Sequence, residues 1–171
     1  NLTVNTGINC TSITNGTTSD ATQSQAGCNG TADDDVWYSF VATATAHKIV
    51  VNAAASGGIV QPVVQIFSGN CAGLASVKCN NFNSSANNTQ VQGGLVIGTT
   101  YFVRVYSSSA LLAEQGAFTI CFSTPNIAND ECSGAISLTV NETDVCTVST
   151  SSTSADASQN LPGCFGTKND V

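Results

Sequence analysis

Residues 33–53 read DDDVWYSFVATATAHKIVVNA, and the fold is decided by how the apolar side chains alternate there. In an extended chain Val36, Tyr38 and Phe40 fall on one face, and Trp37, Ser39 and Val41 on the other. Aromatic and β-branched residues at this period suit a pleated strand. Aromatics on both faces predict a strand that is central in its sheet. After a short ATATA link, HKIVVNA (47–53) alternates again, with Ile49 and Val51 turned inward. No segment carries apolar residues at a convincing helical period.

The same signature recurs downstream. PVVQIFS (62–68), ASVKCN (75–80), TQVQGGLVI (89–97), TYFVRVYS (100–107) and GAFTICFST (116–124) read as strands. Gly57-Gly58, Cys71-Ala72-Gly73, the polar run NNFNSSANN and Gly98-Thr99 punctuate them. Pro62 fits a first strand position, where its missing N–H breaks no ladder. Tyr101, Val103 and Val105 oppose Phe102, Arg104 and Tyr106, while Phe118, Ile120 and Phe122 share one face. Leu111-Leu112, in the loop 108–116, is expected to cover one end of the core. Upstream, Leu2–Val4 reads as a short strand. Residues 5–35 read as a polar, turn-rich loop with one weak strand near Thr11–Thr14. Eight or so short strands so spaced predict an all-β protein: an antiparallel two-sheet β-sandwich of jelly-roll type.

The chain also repeats itself. Residues 2–34 align with residues 138–170 at a fixed offset of 136, and 16 of the 33 positions are identical without a gap. Cys10 and Cys28 fall on Cys146 and Cys164, Asp20 on Asp156, and Gly27 and Gly30 on Gly163 and Gly166. A period this long suits a whole domain rather than a solenoid unit. The expected organisation is a sandwich over 1–125, a linker over 126–128, and the start of the next repeat over 129–171. That second start lacks the apolar strands of a core and cannot fold alone. It is expected to pack on another unit, which points to an array or filament in tandem repeat.

Composition narrows the function. The chain has 171 residues and a net charge of −7, yet charged residues make up only 9%. Four cations (Lys48, Lys78, Arg104 and Lys168) argue against nucleic acid and anionic membranes as partners. No transmembrane run is present. The eight cysteines show no CxxC knuckle, so disulfides fit better than a metal cluster and place the protein in an oxidising, extracellular compartment. Spacing predicts the pairs Cys10–Cys28, Cys146–Cys164 and Cys71–Cys79. Cys121 is left to pair with Cys132, or with an equivalent of Cys132 preceding residue 1.

Taken together, DDDVWYSFVATATAHKIVV, VVQIFSGNC, GTTYFVRVYS, GAFTICFSTP and NDECSGAISLTV resemble tandem domains of large secreted proteins of Bacteroidota. Those domains are similar to the bacterial pre-peptidase C-terminal (PPC-like) β-sandwich. The resemblance implies an adhesive, accessory or spacer module without chemistry of its own, exported by the type IX route.

Candidate chemistry is sparse. Asp33 and Asp35 are the candidate calcium ligands, with Asp130 and Glu131 as further candidates across the joint, because adjacent carboxylates supply hard oxygens. The competing reading is a turn whose aspartates cap backbone amides. No other cofactor is implied. His47, the one histidine, opens a strand and has no free cysteine or serine motif to serve. Glu114 lacks a carboxylate partner. Trp37, Tyr101 and Tyr106 suggest sugar platforms, but a lone strand tryptophan is more often core packing. The expected function is therefore a non-catalytic structural repeat of an extracellular filament, stalk or adhesin, partnered by copies of itself. The alternative is a glycan- or matrix-binding accessory module of a larger secreted enzyme.

Overall fold

In a computed structural model the chain is described at residues 1–81, 87–125, 129, 132–142, 144–152 and 154. Among the described residues nine strands form: β1 (Val4–Asn5), β2 (Thr14–Thr17), β3 (Val36–Val41), β4 (His47–Ala53), β5 (Pro62–Asn70), β6 (Gly73–Asn81), β7 (Asn87–Gln92), β8 (Thr100–Ser107) and β9 (Ala117–Ser123). One sheet runs β1-β9-β4-β7, with β2 also on β9, and the other runs β3-β8-β5-β6. All pairs are antiparallel except β1 on β9. The protein is an all-β, two-sheet β-sandwich. Among the described residues no helix is long and apolar enough to cross a membrane.

The alternation read from the sequence forms the core. Phe40, Tyr101, Val103, Val105, Val64 and Ile66 meet Ile49, Val51, Phe118, Ile120 and Phe122 between the sheets. Phe40 sits at the centre, 4.4 Å from the Phe122 ring and 5.7 Å from Tyr101, centroid to centroid. Asn88 on β7 donates to the carbonyls of Pro62 (2.9 Å) and Asn80 (3.2 Å), tying the two sheets together at one edge.

Three expectations are corrected. β3 is an edge strand, not a central one: it stands at the end of its sheet on β8, and aromatics on its two faces report what packs on the sheet, not how many strands flank it. β7 stops at Gln92: Gly94, with φ of 69°, turns the chain, so Leu95 enters the core while Val96 and Ile97 stay exposed. The weak strand lies at Thr14–Thr17, on β9.

The cysteine pairing is also corrected. Cys10 bonds to Cys121 and Cys28 to Cys79. β1 and β2 both run beside β9, so the loop between them carries Cys10 to Cys121 and to the opposite sheet from Cys28. Cys71 lies at the tip of the β5–β6 hairpin, whereas Cys79 pairs with Gln65 well down its length. That separation is roughly 20 Å at strand rise, too far for a disulfide. Cys71, Cys132 and Cys146 are free and exposed. Cys164, and with it the expected Cys146–Cys164 pair, lies outside the described residues, as does the linker 126–128.

Candidate functional site

The outer face of the β3-β8-β5-β6 sheet is where the molecule departs from a plain sandwich. Register places Trp37, Arg104, Gln65 and Cys79 in one row across it, and Ser39, Phe102, Phe67 and Ser76 in the next. Residues 18–35 cross one half of this face and are fastened to it. The Tyr106 hydroxyl accepts from the amides of Cys28 (3.1 Å) and Asn29 (3.2 Å) and donates to the Asn29 carbonyl (2.9 Å). Ala32 packs on Tyr106 and Val63 in a small second core. Gly30, with φ of 63°, brings the backbone so close that a side chain would strike the Ser108 carbonyl.

Arg104 is the centre of this attachment. It is fully buried, forms a 2.8 Å ion pair with Asp35, and donates to the carbonyls of Ala26 (2.9 Å) and Gln25 (2.6 Å). Its guanidinium lies between the Trp37 ring, 5.7 Å away, and the Tyr106 ring, 4.7 Å away. Such a planar cation suits both a carboxylate and aromatic faces. The Ser24 hydroxyl donates to Asp35 (2.7 Å) and accepts from the Trp37 indole Nε1 (2.9 Å). A relay Arg104–Asp35–Ser24–Trp37 therefore fixes the plane of the indole.

Beyond Gln25 the cover ends, and a groove of about 500 Å³ opens over the uncovered half of the sheet. Trp37 and Phe102 form its floor, with Phe67 5.2 Å from the indole, centroid to centroid. Ser24, Gln25 and Ser39 line it, Asn1 closes one end, and Cys71 and Leu74 form the rim at the β5–β6 hairpin. Ser39 Oγ donates to Asn1 Oδ1 at 2.7 Å. None of the lining side chains is charged. Aromatic floor and neutral hydrogen-bonding rim are the features of a small-molecule site.

Asp34 and Asp35 are both held by groups within the fold. Asp35 is committed to Arg104 and Ser24, and buried Asp34 accepts from the Ser107 amide at 3.0 Å. Burial pushes the Asp34 carboxyl above its ordinary value, partly offset by hydrogen bonds from Thr18 and Ser107. Asp33 is half-buried. Among the described residues no three His, Cys, Asp or Glu side chains converge on a metal position. Asp130 and Glu131 lie outside the described residues. Asp34 and Asp35 anchor the crossing segment and accept from the backbone amides of Ser107 and Ser24, in line with the backbone-capping reading of the triple aspartate.

His47 is fully buried. Its Nε2 accepts from the amides of Thr43 (3.1 Å) and Ala44 (3.3 Å), and its Nδ1 faces the Ser123 carbonyl at 3.4 Å. Burial lowers its pKa, so the ring is neutral and structural. Glu114 sits on the 3-10 turn Leu112–Glu114, half-buried. Tyr101 is core, its hydroxyl accepting from the Val96 amide at 3.0 Å.

Residues 1–120 match a family described as galactose binding domain-like and associated with the type IX secretion system. The chain belongs to that family. The match accords with a secreted domain of Bacteroidota. With two closed disulfides, this galactose-binding-like domain works outside the cell or at its surface. No curated protein matches the chain. Among solved structures it is similar to a periplasmic inhibitor of g-type lysozyme, PliG from Aeromonas hydrophila, at 13% identity and a TM-score of 0.37, over 70% of this chain and 96% of that one.

Trp37 is the residue that sequence reasoning placed least well. Its alternation put it opposite the core, but the strand was expected to be central, which would have buried it. The galactose-binding-like domain instead leaves it half-exposed in the groove. Gln25, Asn1 and Ser39 carry no local signal that marks them as site residues. Their meeting depends on which half of the sheet the crossing segment covers.

Proposed function

We propose that this galactose-binding-like domain is a non-catalytic carbohydrate-binding module of a larger exported protein, holding a neutral sugar in the groove above Trp37 and Phe102. One observation carries the reading: the relay from Arg104 through Asp35 and Ser24 presents a fixed indole to a pocket rimmed by uncharged amides and hydroxyls. A pyranose has an apolar face that packs on an aromatic ring and a belt of hydroxyls for polar rims. Fixing the ring beforehand lowers the ordering cost of binding. The family description supports the same ligand class.

Trp37 is the protein's one tryptophan, so its emission reports on the groove directly. Titration with galactose and galactose-containing oligosaccharides is expected to shift that emission, and Trp37→Ala to abolish binding measured calorimetrically. A silent glycan array, or binding that survives Trp37→Ala, would overturn the assignment.

A second reading, an extracellular array of repeats, is favoured by the internal copy at 138–170. It concerns how modules are strung together and is compatible with sugar binding. Electron micrographs of the native material are expected to show fibres of regular axial spacing. Isolated particles alone would remove it.

A further inference from the structure

The floor of the groove carries two aromatic platforms. Trp37 on β3 and Phe102 on β8 are both half-buried and both line it. Ser39 stands opposite Phe102, and Trp37 is two residues from Ser39, so the two rings come from diagonal positions of the ladder. Diagonal neighbours on one face of an antiparallel pair lie about 7–8 Å apart. At that spacing one pyranose ring covers one of the two aromatic faces and not both. Phe67 does a different job. It pairs with Phe102 across β5 and β8, is only 4% exposed and packs 5.2 Å from the indole, so it supports Trp37 and offers no free face of its own.

The surroundings of the two platforms differ. Beside Trp37 the groove is polar. The Ser24 hydroxyl accepts from the indole Nε1 at 2.9 Å, and Arg104 holds the Gln25 carbonyl at 2.6 Å, which fixes the backbone from which Gln25 lines the groove. Beyond Phe102, in the direction of β6, an apolar side chain takes over. β8 pairs with β5 only as far as Phe67, whereas the β5–β6 ladder runs on to Asn70 and Gly73. The hairpin therefore overhangs the sheet. Its register shifts between Ile66 and Phe67, where Val77 is the extra residue, and a bulge of this kind bends and twists the ribbon. The overhang brings half-buried Leu74 to the groove rim. In strand order Phe102 thus stands between Trp37 and Leu74.

We infer that the groove has two adjoining sugar subsites, and that its ligand class is a neutral disaccharide or longer chain laid across the strands from β3 toward β6. The inference rests on the carbohydrate reading above. One unit stacks on Trp37 with its hydroxyls turned to Ser24 and Gln25. The next lies over Phe102 with an apolar edge against Leu74. The groove volume of about 500 Å³ agrees. It falls within the range of about 300–1,000 Å³ that takes drug-sized ligands, and a single hexose fills only part of it. Phe102 and Leu74 are then the residues that select for chain length, while Trp37 serves every ligand.

Calorimetric titration of the full chain with galactose, lactose and β-1,4-galactobiose tests this. At least one disaccharide is expected to bind about tenfold tighter than galactose, as the apolar face of a second ring is buried on Phe102. Saturation-transfer NMR is expected to show protein contacts on both of its units. Phe102→Leu keeps an apolar side chain in the floor and removes the ring. In that variant the disaccharide is expected to lose its advantage over galactose, and the contacts on the second unit to disappear. Leu74→Ala is expected to shrink the same advantage. Galactose binding with no gain for either disaccharide, or a gain that survives Phe102→Leu, would overturn the second subsite and leave the carbohydrate reading standing. No binding of galactose or of either disaccharide would remove both.

Discussion

Asp35→Ala is the substitution that tests the architecture of the site most directly. Both members of the Arg104–Asp35 pair are buried, with side-chain exposures of 0% and 1%. Removing one partner of such a pair typically costs about 3–5 kcal/mol, because the other is left as an uncompensated buried charge. Arg104 would keep the Ala26 and Gln25 carbonyls and its two aromatic neighbours, which favours the lower end, about 3 kcal/mol. Ser24 also loses its acceptor, adding about 1 kcal/mol. A total near 4 kcal/mol corresponds to a fall in Tm of roughly 15 °C for a domain of this size. Urea unfolding followed by Trp37 emission measures it. The double variant Asp35→Leu/Arg104→Met, which removes both charges, is expected to recover most of the loss. A single-variant loss below about 1 kcal/mol, or a double variant no better than the single, would refute the view that this pair holds the crossing segment down.

Three further outcomes are expected. His47 is neutral in the fold and its pKa is lowered by burial, so the unfolded chain binds more protons below its ordinary value of 6.5. Stability is therefore fully present above that pH and falls as the pH drops below it; in His47→Gln this part of the acid-side slope should vanish from Tm measured against pH. Cys28→Ser/Cys79→Ser opens a 51-residue span, and Cys10→Ser/Cys121→Ser one of 111 residues. Loop entropy predicts losses of about 4 and about 5 kcal/mol respectively, so the second pair should show the lower denaturant midpoint. Gly30→Ala places a side chain against the Ser108 carbonyl in a left-handed backbone and should cost at least about 1 kcal/mol. It should also loosen the crossing segment, read as faster amide exchange at Cys28 and Asn29.

The strands were legible because alternation is a local property. Tyr101, Val103 and Val105, and Phe118, Ile120 and Phe122, face the core as their spacing implied. The cysteines were not legible, since Cys10–Cys28 looks natural along the chain, whereas the crossing segment carries the two to different sheets. The burial of Arg104 and Tyr106 was hidden for a related reason. Their outward register is plain from TYFVRVYS, but only the path of residues 18–35 turns an outer face into a second interior. The triple aspartate was visible as a feature, but the partner that claims Asp35 was not, because it lies 69 positions away, at Arg104.

The placement of the basic side chains has a consequence for survival outside the cell. Within residues 1–125 the cations are Lys48, Lys78 and Arg104, and each lies inside a hydrogen-bonded strand, β4, β6 and β8. A protease that cuts after lysine or arginine must draw an extended stretch of backbone into its own cleft, which these positions refuse while the sheets are intact. The first such cut must then wait for the sandwich to open. In surroundings rich in secreted proteases, the working lifetime of this domain against them is set by how seldom it unfolds.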